Sequence, residues 1–132
     1  MDLNQLKNKF INELSGGQSQ RAFLAMTIAQ NTNILLLDEP TTFLDINYQI
    51  RFLESLKKLM KIKNLSIITV LHDINLAARF CDRIAILKEG NLIDINTPKK
   101  VLNKENFKRG FEIDSHIIET PFGMQIFPVS ET

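Results

Sequence analysis

Residues 34–40 read ILLLDEP, and this stretch decides which class of fold the chain adopts. Four apolar residues follow one another without alternation, and Asp38, Glu39 and Pro40 come directly after them. A short apolar run bounded in this way is typical of a strand buried on both faces of a parallel sheet, although its period alone also fits a segment of buried helix. The stretch therefore predicts a strand whose carboxyl end carries two adjacent carboxylates.

The segments that follow favour an α/β fold. Residues 47–62 carry apolar side chains at helical spacing on one face, which predicts a helix. Residues 66–71, SIITVL, are apolar and largely β-branched, which predicts a second strand, and this strand ends at His72. Strands that alternate with helices indicate a mostly parallel sheet with flanking helices. Because ligands bind beyond the carboxyl ends of such strands, Asp38, Glu39 and His72 are expected at one edge of the sheet.

The rest of the sequence predicts shorter elements and a small appendage. The predicted elements are a helical lead-in at 1–13, helices at 21–30, 74–81 and 98–102, a hairpin of strands at 84–87 and 92–95, and a second hairpin within 111–129. The second hairpin turns at Pro121-Phe122-Gly123. We therefore predict one main domain at residues 1–110 and a small β appendage at 111–132.

A pair of glycines marks the start of the helix that precedes the ILLLDEP stretch. Ser15 is a good N-cap, and Gln18 three residues later completes the capping-box pattern. Gly16 and Gly17 leave backbone N–H groups without covering side chains, and the helix dipole adds positive charge there. Such a turn, taken alone, is more often a simple cap, but its chemistry also suits a phosphate group.

Four motifs, in this order and spacing, resemble those of ABC-type ATPases. LSGGQ at 14–18 resembles the ABC signature motif, and ILLLDEP at 34–40 resembles the Walker B strand with its adjoining glutamate. TTFLD at 41–45 resembles the D-loop, and His72 resembles the switch histidine. The resemblance runs from about residue 1 to the tail. It implies the C-terminal half of a P-loop NTPase fold of the ABC type.

The segment after the second predicted strand indicates a subclass. LHDINLAARFCDRIAILKEGNLID at 71–94 is similar to ATPases of iron-siderophore, haem and cobalamin importers, as are Phe43 in the D-loop and the tail at 111–129. The resemblance implies an ATP-binding subunit of an ABC importer, for iron-siderophores or related metal chelates. It also implies membrane permease subunits as partners and a cytoplasmic position, peripheral at the inner face of the cell membrane.

The resemblance gives the residues at the predicted sheet edge a catalytic role. Asp38 would hold Mg²⁺, mostly through water. Glu39 would act as the general base or polarise the attacking water, and His72 would contact the γ-phosphate of ATP. Carboxylates and histidine are residue types that suit these tasks.

The resemblance also implies residues that face a second ATPase subunit in a head-to-tail dimer. Ser15 and Gly17 would contact the γ-phosphate of an ATP held by the other subunit. Gly16 and Gln18 belong to the same ATP-binding segment, and Asp45 would cross the dimer interface. Each site would therefore draw on two chains.

No phosphate loop of the form G-x-x-x-x-G-K-[ST] occurs in these 132 residues, since none of the five glycines is followed by lysine. In the family's sheet, the strand before that loop lies between the strand ending at His72 and the strand at 84–87. Backbone groups that are left buried and unpaired cost about 1–3 kcal/mol each. We therefore expect either direct pairing of these two strands or a chain that folds poorly alone. We also expect the chain alone to hydrolyse no ATP.

Composition argues against several other functions. The net charge is +1, which gives no electrostatic case for binding nucleic acid or an acidic membrane surface. No apolar run approaches the length of a membrane span, so we expect no direct membrane insertion. Cys81 is the single cysteine, so no intrachain disulfide can form.

Three functions remain open from the sequence. The first is the ATP-hydrolysing subunit of a metal-chelate importer, present as a fragment. The second is a non-catalytic module whose signature half caps ATP on a partner subunit, and the third is a non-functional remnant. An ABC ATPase of DNA repair or chromosome maintenance is less consistent, because the chain has neither heptads nor cysteine pairs.

Overall fold

The computed structural model describes residues 4–42 and 44–129. Phe43, the aromatic residue of the D-loop resemblance, lies outside them. The chain forms two compact units, residues 1–72 and residues 73–132. A domain boundary at residue 110 stays a prediction.

The first unit is built on a parallel pair of strands. Its elements are 3-10 turns at Asn4–Leu6 and Ile11–Glu13, helix α1 (Gly16–Ala29), strand β1 (Ile34–Leu37), helix α2 (Ile46–Lys63) and strand β2 (Ser66–Thr69). β1 and β2 run parallel, with Leu36 opposite Ile68. Helix α2 forms the crossover that a parallel connection requires. The buried apolar residues of this unit are Leu24, Leu35, Phe52, Leu53, Leu56 and Leu65.

Polar residues set both ends of α2. The carboxylate of Asp45 accepts a hydrogen bond from the backbone N–H of Tyr48 at 3.0 Å and caps the helix start. Asn64 ends the helix in the left-handed conformation, at φ 49°. Asparagine tolerates this conformation better than most residues. The chain therefore turns back after α2 and enters β2 beside β1.

The second unit uses antiparallel hairpins instead. Its elements are α3 (Ile74–Phe80), β3 (Ile84–Lys88), β4 (Asn91–Asn96), α4 (Pro98–Val101), α5 (Lys104–Phe111), β5 (Asp114–Thr120) and β6 (Gly123–Val129). β3 pairs with β4, and β5 pairs with β6. The Asn75 side chain of α3 accepts from the N–H of Ile126 at 2.7 Å and donates to its carbonyl at 3.2 Å. This amide therefore ties α3 to β6.

The α/β class predicted from the sequence is confirmed, and so are both predicted hairpins. The ILLL run is a strand rather than a helix. Within residues 4–42 and 44–129, the parallel ladder is limited to β1 and β2. No helix in these ranges is both long and apolar enough to cross a bilayer.

One local prediction is wrong, and one helix was not predicted. The described part of the lead-in forms two 3-10 turns rather than one helix, and Phe10 and Ile11 are exposed. Helices gain most of their stability from burying an apolar face, and these side chains remain in solvent. No element is predicted at 104–111, yet α5 forms there behind the N-cap Asn103, with Phe107 buried.

Two alternatives are expected for the strand ending at His72 and the strand at 84–87. Direct pairing between them is not observed within the described residues, and poor folding of the chain alone stays a prediction. In the described part of the chain, β2 pairs only with β1, and β3 pairs only with β4. β3 and β4 are joined by a short turn at Glu89 and Gly90. Closing such a short loop costs little chain entropy, so β3 takes its neighbour in sequence as its partner.

Candidate functional site

The carboxyl ends of β1 and β2 lie side by side. The backbone N–H of Val70 donates a hydrogen bond to the carbonyl of Leu37 at 2.9 Å, which extends the ladder beyond β2. Asp38 and Glu39 follow Leu37 directly, and His72 lies two residues after Val70. The parallel pairing therefore brings both polar strand ends to one edge, where ligands bind in open α/β sheets.

Glu39 and His72 are in direct contact at this edge. The Nε2 atom of His72 lies 2.7 Å from the Oε1 atom of Glu39, which is hydrogen-bond distance. Both side chains are open to solvent, so the pair adds little to stability and both groups are accessible to a ligand. The predicted meeting of these two side chains is confirmed, while their chemical roles stay predictions.

The carboxylate of Glu39 is held from its other side by Thr42, which the sequence motifs give no individual role. The Thr42 hydroxyl donates to Oε2 of Glu39 at 3.2 Å, and the Thr42 backbone N–H donates to the Glu39 carbonyl at 3.3 Å. Glu39 itself has a positive φ of 44°. Residues other than glycine rarely adopt this backbone conformation, and such strain is concentrated at functional sites. In the sequence, Thr42 lies in the TTFLD segment three residues after this candidate catalytic carboxylate, but the motif gives its hydroxyl no specific contact.

Asp38 is exposed at the end of β1. Within residues 4–42 and 44–129, no three His, Cys, Asp or Glu residues are grouped as ligands for a metal ion. Mg²⁺ keeps several of its waters and is usually bound by one or two carboxylates together with phosphate oxygens. The exposed Asp38 carboxylate fits that mode of binding, in which the protein contributes few ligands.

The glycine-containing segment at 14–18 forms the start of α1 and carries the predicted capping box. The N–H of Gln18 donates to Oγ of Ser15 at 3.4 Å, and the N–H of Ser15 donates to the Gln18 side chain at 3.1 Å. A Cβ atom added to Gly16 would meet nothing within 4 Å. The helix start is therefore ordered and has open space beside Gly16, where a phosphate group can approach backbone N–H groups.

Gly17 has a packing role. A Cβ atom at Gly17 would lie 3.3 Å from Cδ2 of Leu44, so the D-loop segment approaches the start of α1 closely. The side-chain amide of Gln49 holds this segment by donating to the carbonyls of Thr41 at 3.1 Å and Leu44 at 2.9 Å. No sequence signal singles out Gln49, because its importance comes from the loop that it faces.

Asp45 acts locally as the N-cap of α2, and its proposed position at a dimer interface stays a prediction. The structure thus brings Glu39 and His72 together and packs Gly17 against the D-loop segment. Ser15 and Gln18 are engaged with each other at the start of α1.

Comparison with known proteins identifies relatives over most of the chain. The family model described as ABC transporter matches residues 1–42. The petrobactin import ATP-binding protein FpuC of Bacillus anthracis is 47% identical over 124 residues, which are 92% of this chain and 46% of that protein. The ferric enterobactin transport ATP-binding protein FepC of Escherichia coli is 41% identical over 119 residues, which are 90% of this chain and 44% of that protein.

A solved structure gives the same result for the fold. A metal-chelate type ABC transporter in an inward-facing conformation matches with a TM-score of 0.86 and 26% identity, covering 97% of this chain and 53% of that chain. This chain spans about half the length of the curated relatives that it matches. From the motifs, the sheet edge that they form and these matches, we conclude that the chain belongs to the family of ABC transporter ATP-binding domains.

Proposed function

We propose that this chain supplies the signature, Walker B and switch-histidine parts of an ATP-hydrolysing site in an ABC importer for iron-siderophores or related metal chelates. The observation that carries the proposal is the Glu39–His72 contact at the carboxyl edge of β1 and β2. The relatives named for petrobactin and ferric enterobactin transport support the class of substrate. The phosphate loop of the site would come from outside these 132 residues.

ATP and Mg²⁺ would supply the γ-phosphate and the cation that neutralises its charge. The Asp38 carboxylate would help hold the ion, mostly through water. Glu39 would accept a proton from the attacking water or polarise it, and Thr42 would keep the carboxylate in place through Oε2. His72 would donate from Nε2 to a γ-phosphate oxygen.

The contact between Glu39 and His72 has to open for this chemistry. While Nε2 of His72 donates to Oε1 of Glu39 at 2.7 Å, it is not available to a phosphate oxygen. Both side chains are solvent-exposed, so separating them costs on the order of 1 kcal/mol or less. A bound phosphate group would then compete for His72 and release Oε1 of Glu39 towards water.

The proposed site is shared between subunits. The start of α1, with Ser15, Gly16, Gly17 and Gln18, would face the ATP of a second ATPase subunit in a head-to-tail dimer. Asp45 would lie near that interface. Permease subunits in the membrane would couple the dimer to transport, and the ATPase would sit at the cytoplasmic face of the cell membrane.

The proposal is tested by measuring Mg²⁺-dependent ATP hydrolysis when the full chain is combined with a polypeptide that provides the phosphate loop. Glu39→Gln should lower the turnover rate by about 10²- to 10⁴-fold, because it removes the general base. Glu54→Gln, at an exposed glutamate of α2, is the matched control and should leave the rate unchanged. An intact combination without Mg-ATPase activity would contradict the proposal.

A second candidate is a non-catalytic module that caps ATP on a partner subunit. It is favoured by the start of α1, which is ordered by its capping box and open beside Gly16. The chain should then bind a full-length homologue only when ATP is present. Gly16→Val should keep the fold, since space is open there, but weaken this binding by blocking the phosphate. Failure of the unmodified chain to bind with ATP would eliminate this candidate.

A further inference from the structure

The side-chain amide of Gln49 makes two contacts with the D-loop segment, residues 41–45. Its Nε2 atom donates to the carbonyl of Thr41 at 3.1 Å and to the carbonyl of Leu44 at 2.9 Å. Both partners are acceptors, so one amide nitrogen uses its two N–H groups on the same segment. Gln49 is half-buried, where a lost hydrogen bond costs more than at the surface. The amide therefore clamps the segment at two points.

The clamp is attached to an ordered helix. Asp45 caps the start of α2, and the backbone N–H of Gln49 donates to the carbonyl of Asp45 at 2.9 Å. One turn further along, Phe52 and Leu53 are buried in the core of the unit. Residues on packed helices hold their partners more precisely than residues on loops. The position of the two clamped carbonyls is therefore set by α2.

The clamped segment makes a contact with a candidate site residue on each side. Thr42 directly follows the clamped Thr41, and its hydroxyl donates to Oε2 of Glu39 at 3.2 Å. Leu44 lies against the start of α1, where a Cβ atom added to Gly17 would be 3.3 Å from Cδ2 of Leu44. A displacement of the segment would therefore alter both contacts together.

We propose that Gln49 is a positioning residue that couples the carboxylate of Glu39 to the start of α1 through the D-loop segment. The action of these two places on ATP rests on the proposed function, whereas the coupling rests on the contacts themselves. In a head-to-tail dimer, Glu39 and the start of α1 would serve different ATP sites. The clamp would then pass a displacement at one site to the other through a contiguous set of contacts.

Two replacements of Gln49 separate hydrogen-bond donation from helix formation. Gln49→Glu keeps the shape of the side chain but has no donor for the two carbonyls, whereas Gln49→Lys keeps donors. Glutamine, glutamate and lysine have similar helix propensities, and the helix dipole favours glutamate near the start of α2. A loss with Gln49→Glu that Gln49→Lys restores would therefore report the clamp and not the stability of the helix.

The first measurement is nuclear magnetic resonance of the full chain alone, without ATP. In Gln49→Glu, amide exchange at Leu44 should become about tenfold faster or more, because its N–H donates to the clamped carbonyl of Thr41. The amide signal of Gly17 and the carboxyl signal of Glu39 should shift in the same variant. Gln49→Lys should restore most of these signals.

A matched control and a second variant complete this measurement. Asn47→Asp makes the same change from amide to carboxylate at an exposed residue of α2, and it should leave these signals unchanged. Gly17→Ala tests the coupling from the other side, because the added methyl group displaces Leu44 and should shift the carboxyl signal of Glu39. This variant leaves Gln49 intact, so it tests the proposal even if Gln49→Glu does not fold.

The second measurement is Mg²⁺-dependent ATP hydrolysis by the full chain combined with a polypeptide that provides the phosphate loop. Gln49→Glu should lower kcat by about 10- to 100-fold, because a displaced Glu39 carboxylate impairs the chemical step. The KM for ATP should change by less than about threefold, because Gln49 itself does not contact the nucleotide. Gln49→Lys should recover most of the lost kcat.

Three results would overturn the proposal. They are unchanged signals of Gly17 and Glu39 in Gln49→Glu, an equal loss in Gln49→Lys, and no response of Glu39 to Gly17→Ala. A combination that hydrolyses no ATP even with the unmodified chain would contradict the proposed function alone, because the resonance measurement decides the coupling without hydrolysis.

Discussion

The two units of the chain complete their sheets in different ways. In residues 73–132, each ladder is a hairpin between strands that follow one another, and Val101, Leu102 and Phe107 are almost fully buried. In residues 1–72, the ladder is parallel, and the face opposite Leu35 is open to solvent. A hairpin needs only local chain closure and one covering layer. A parallel pair needs a second layer, which the described residues of its unit do not supply.

All of the candidate site residues lie in the first unit, whose ladder has one exposed face. The sheet edge with Glu39 and His72 and the start of α1 are both within residues 1–72. Binding and catalytic segments commonly come from the less stable parts of a protein. We therefore expect the second unit to be the more resistant to amide exchange, and the following changes test this difference.

The largest effect is expected from Phe107→Ala in the second unit. Phe107 is 2% exposed, and its ring centroid lies 5.3 Å from that of Phe111, so truncation leaves a cavity. The free energy of unfolding should fall by about 3–5 kcal/mol. Amide exchange followed by mass spectrometry should show the loss concentrated in residues 73–132, with Phe122→Ala as the neutral control. An equal loss of protection in residues 1–72 would contradict the expected difference in stability between the two units.

Adjacent leucines of β1 provide a matched pair in the first unit. Leu35→Ala should lower the free energy of unfolding by about 2–5 kcal/mol, because Leu35 is buried. Leu36→Ala should change it by no more than about 0.5 kcal/mol, because Leu36 is exposed. Chemical denaturation can follow this unit through the fluorescence of Tyr48, since the chain has one tyrosine and no tryptophan. Similar losses for both variants would mean that the Leu36 side of the ladder is already covered.

A smaller effect is expected at the start of α2. Asp45→Ala removes the cap on the N–H of Tyr48 and should cost about 1 kcal/mol, whereas Asp45→Asn keeps a side-chain acceptor and should cost little. The same denaturation experiment measures both. If Asp45→Asn impairs dimer formation while stability is retained, the interface role of Asp45 is supported as well.

The smallest effect is expected from the ion pair formed by the half-buried Lys88 and the exposed Glu112. The hydrogen bond from Lys88, together with its positive charge, holds the pKa of the Glu112 carboxyl below its ordinary value of 4.5. A lowered pKa adds stability above the ordinary value, and this stability is lost as the pH falls through the folded-state pKa. Lys88→Met should therefore lower the melting temperature slightly at neutral pH. The difference from the unmodified chain should vanish on acidification, and a difference that grows instead would contradict the assignment.

Much of the site could be predicted because it follows from strand direction. Once ILLL and SIIT are parallel strands, Glu39 and His72 must lie at the same edge. The capping box of Ser15 and Gln18 could also be predicted, because it depends on residues three positions apart. The Thr42 contact could not be predicted, since it depends on the loop conformation around Glu39.

The helix at 104–111 could not be predicted for a related reason. Its sequence, KENFKRGF, is mostly polar and contains Gly110, so periodicity gives little signal. The helix forms because Phe107 and Asn106 are buried, and the Asn106 amide donates to Asp94 at 2.8 Å and to the carbonyl of Val101 at 2.9 Å. These partners lie on other elements and become neighbours only when the unit folds.

The sequence by itself determined the two parallel strands, the cap of α1, the hairpins and the positions of the candidate site residues. These features depend on apolar periodicity and on hydrogen bonds between near neighbours in the chain. Only the tertiary structure decided that β2 and β3 belong to different ladders, that Glu39 takes a positive φ, and that Leu36 and Ile68 remain exposed. The reason is that these features depend on which surfaces pack against each other. The free energy of packing between segments far apart in the sequence decides this, and local sequence patterns do not encode it.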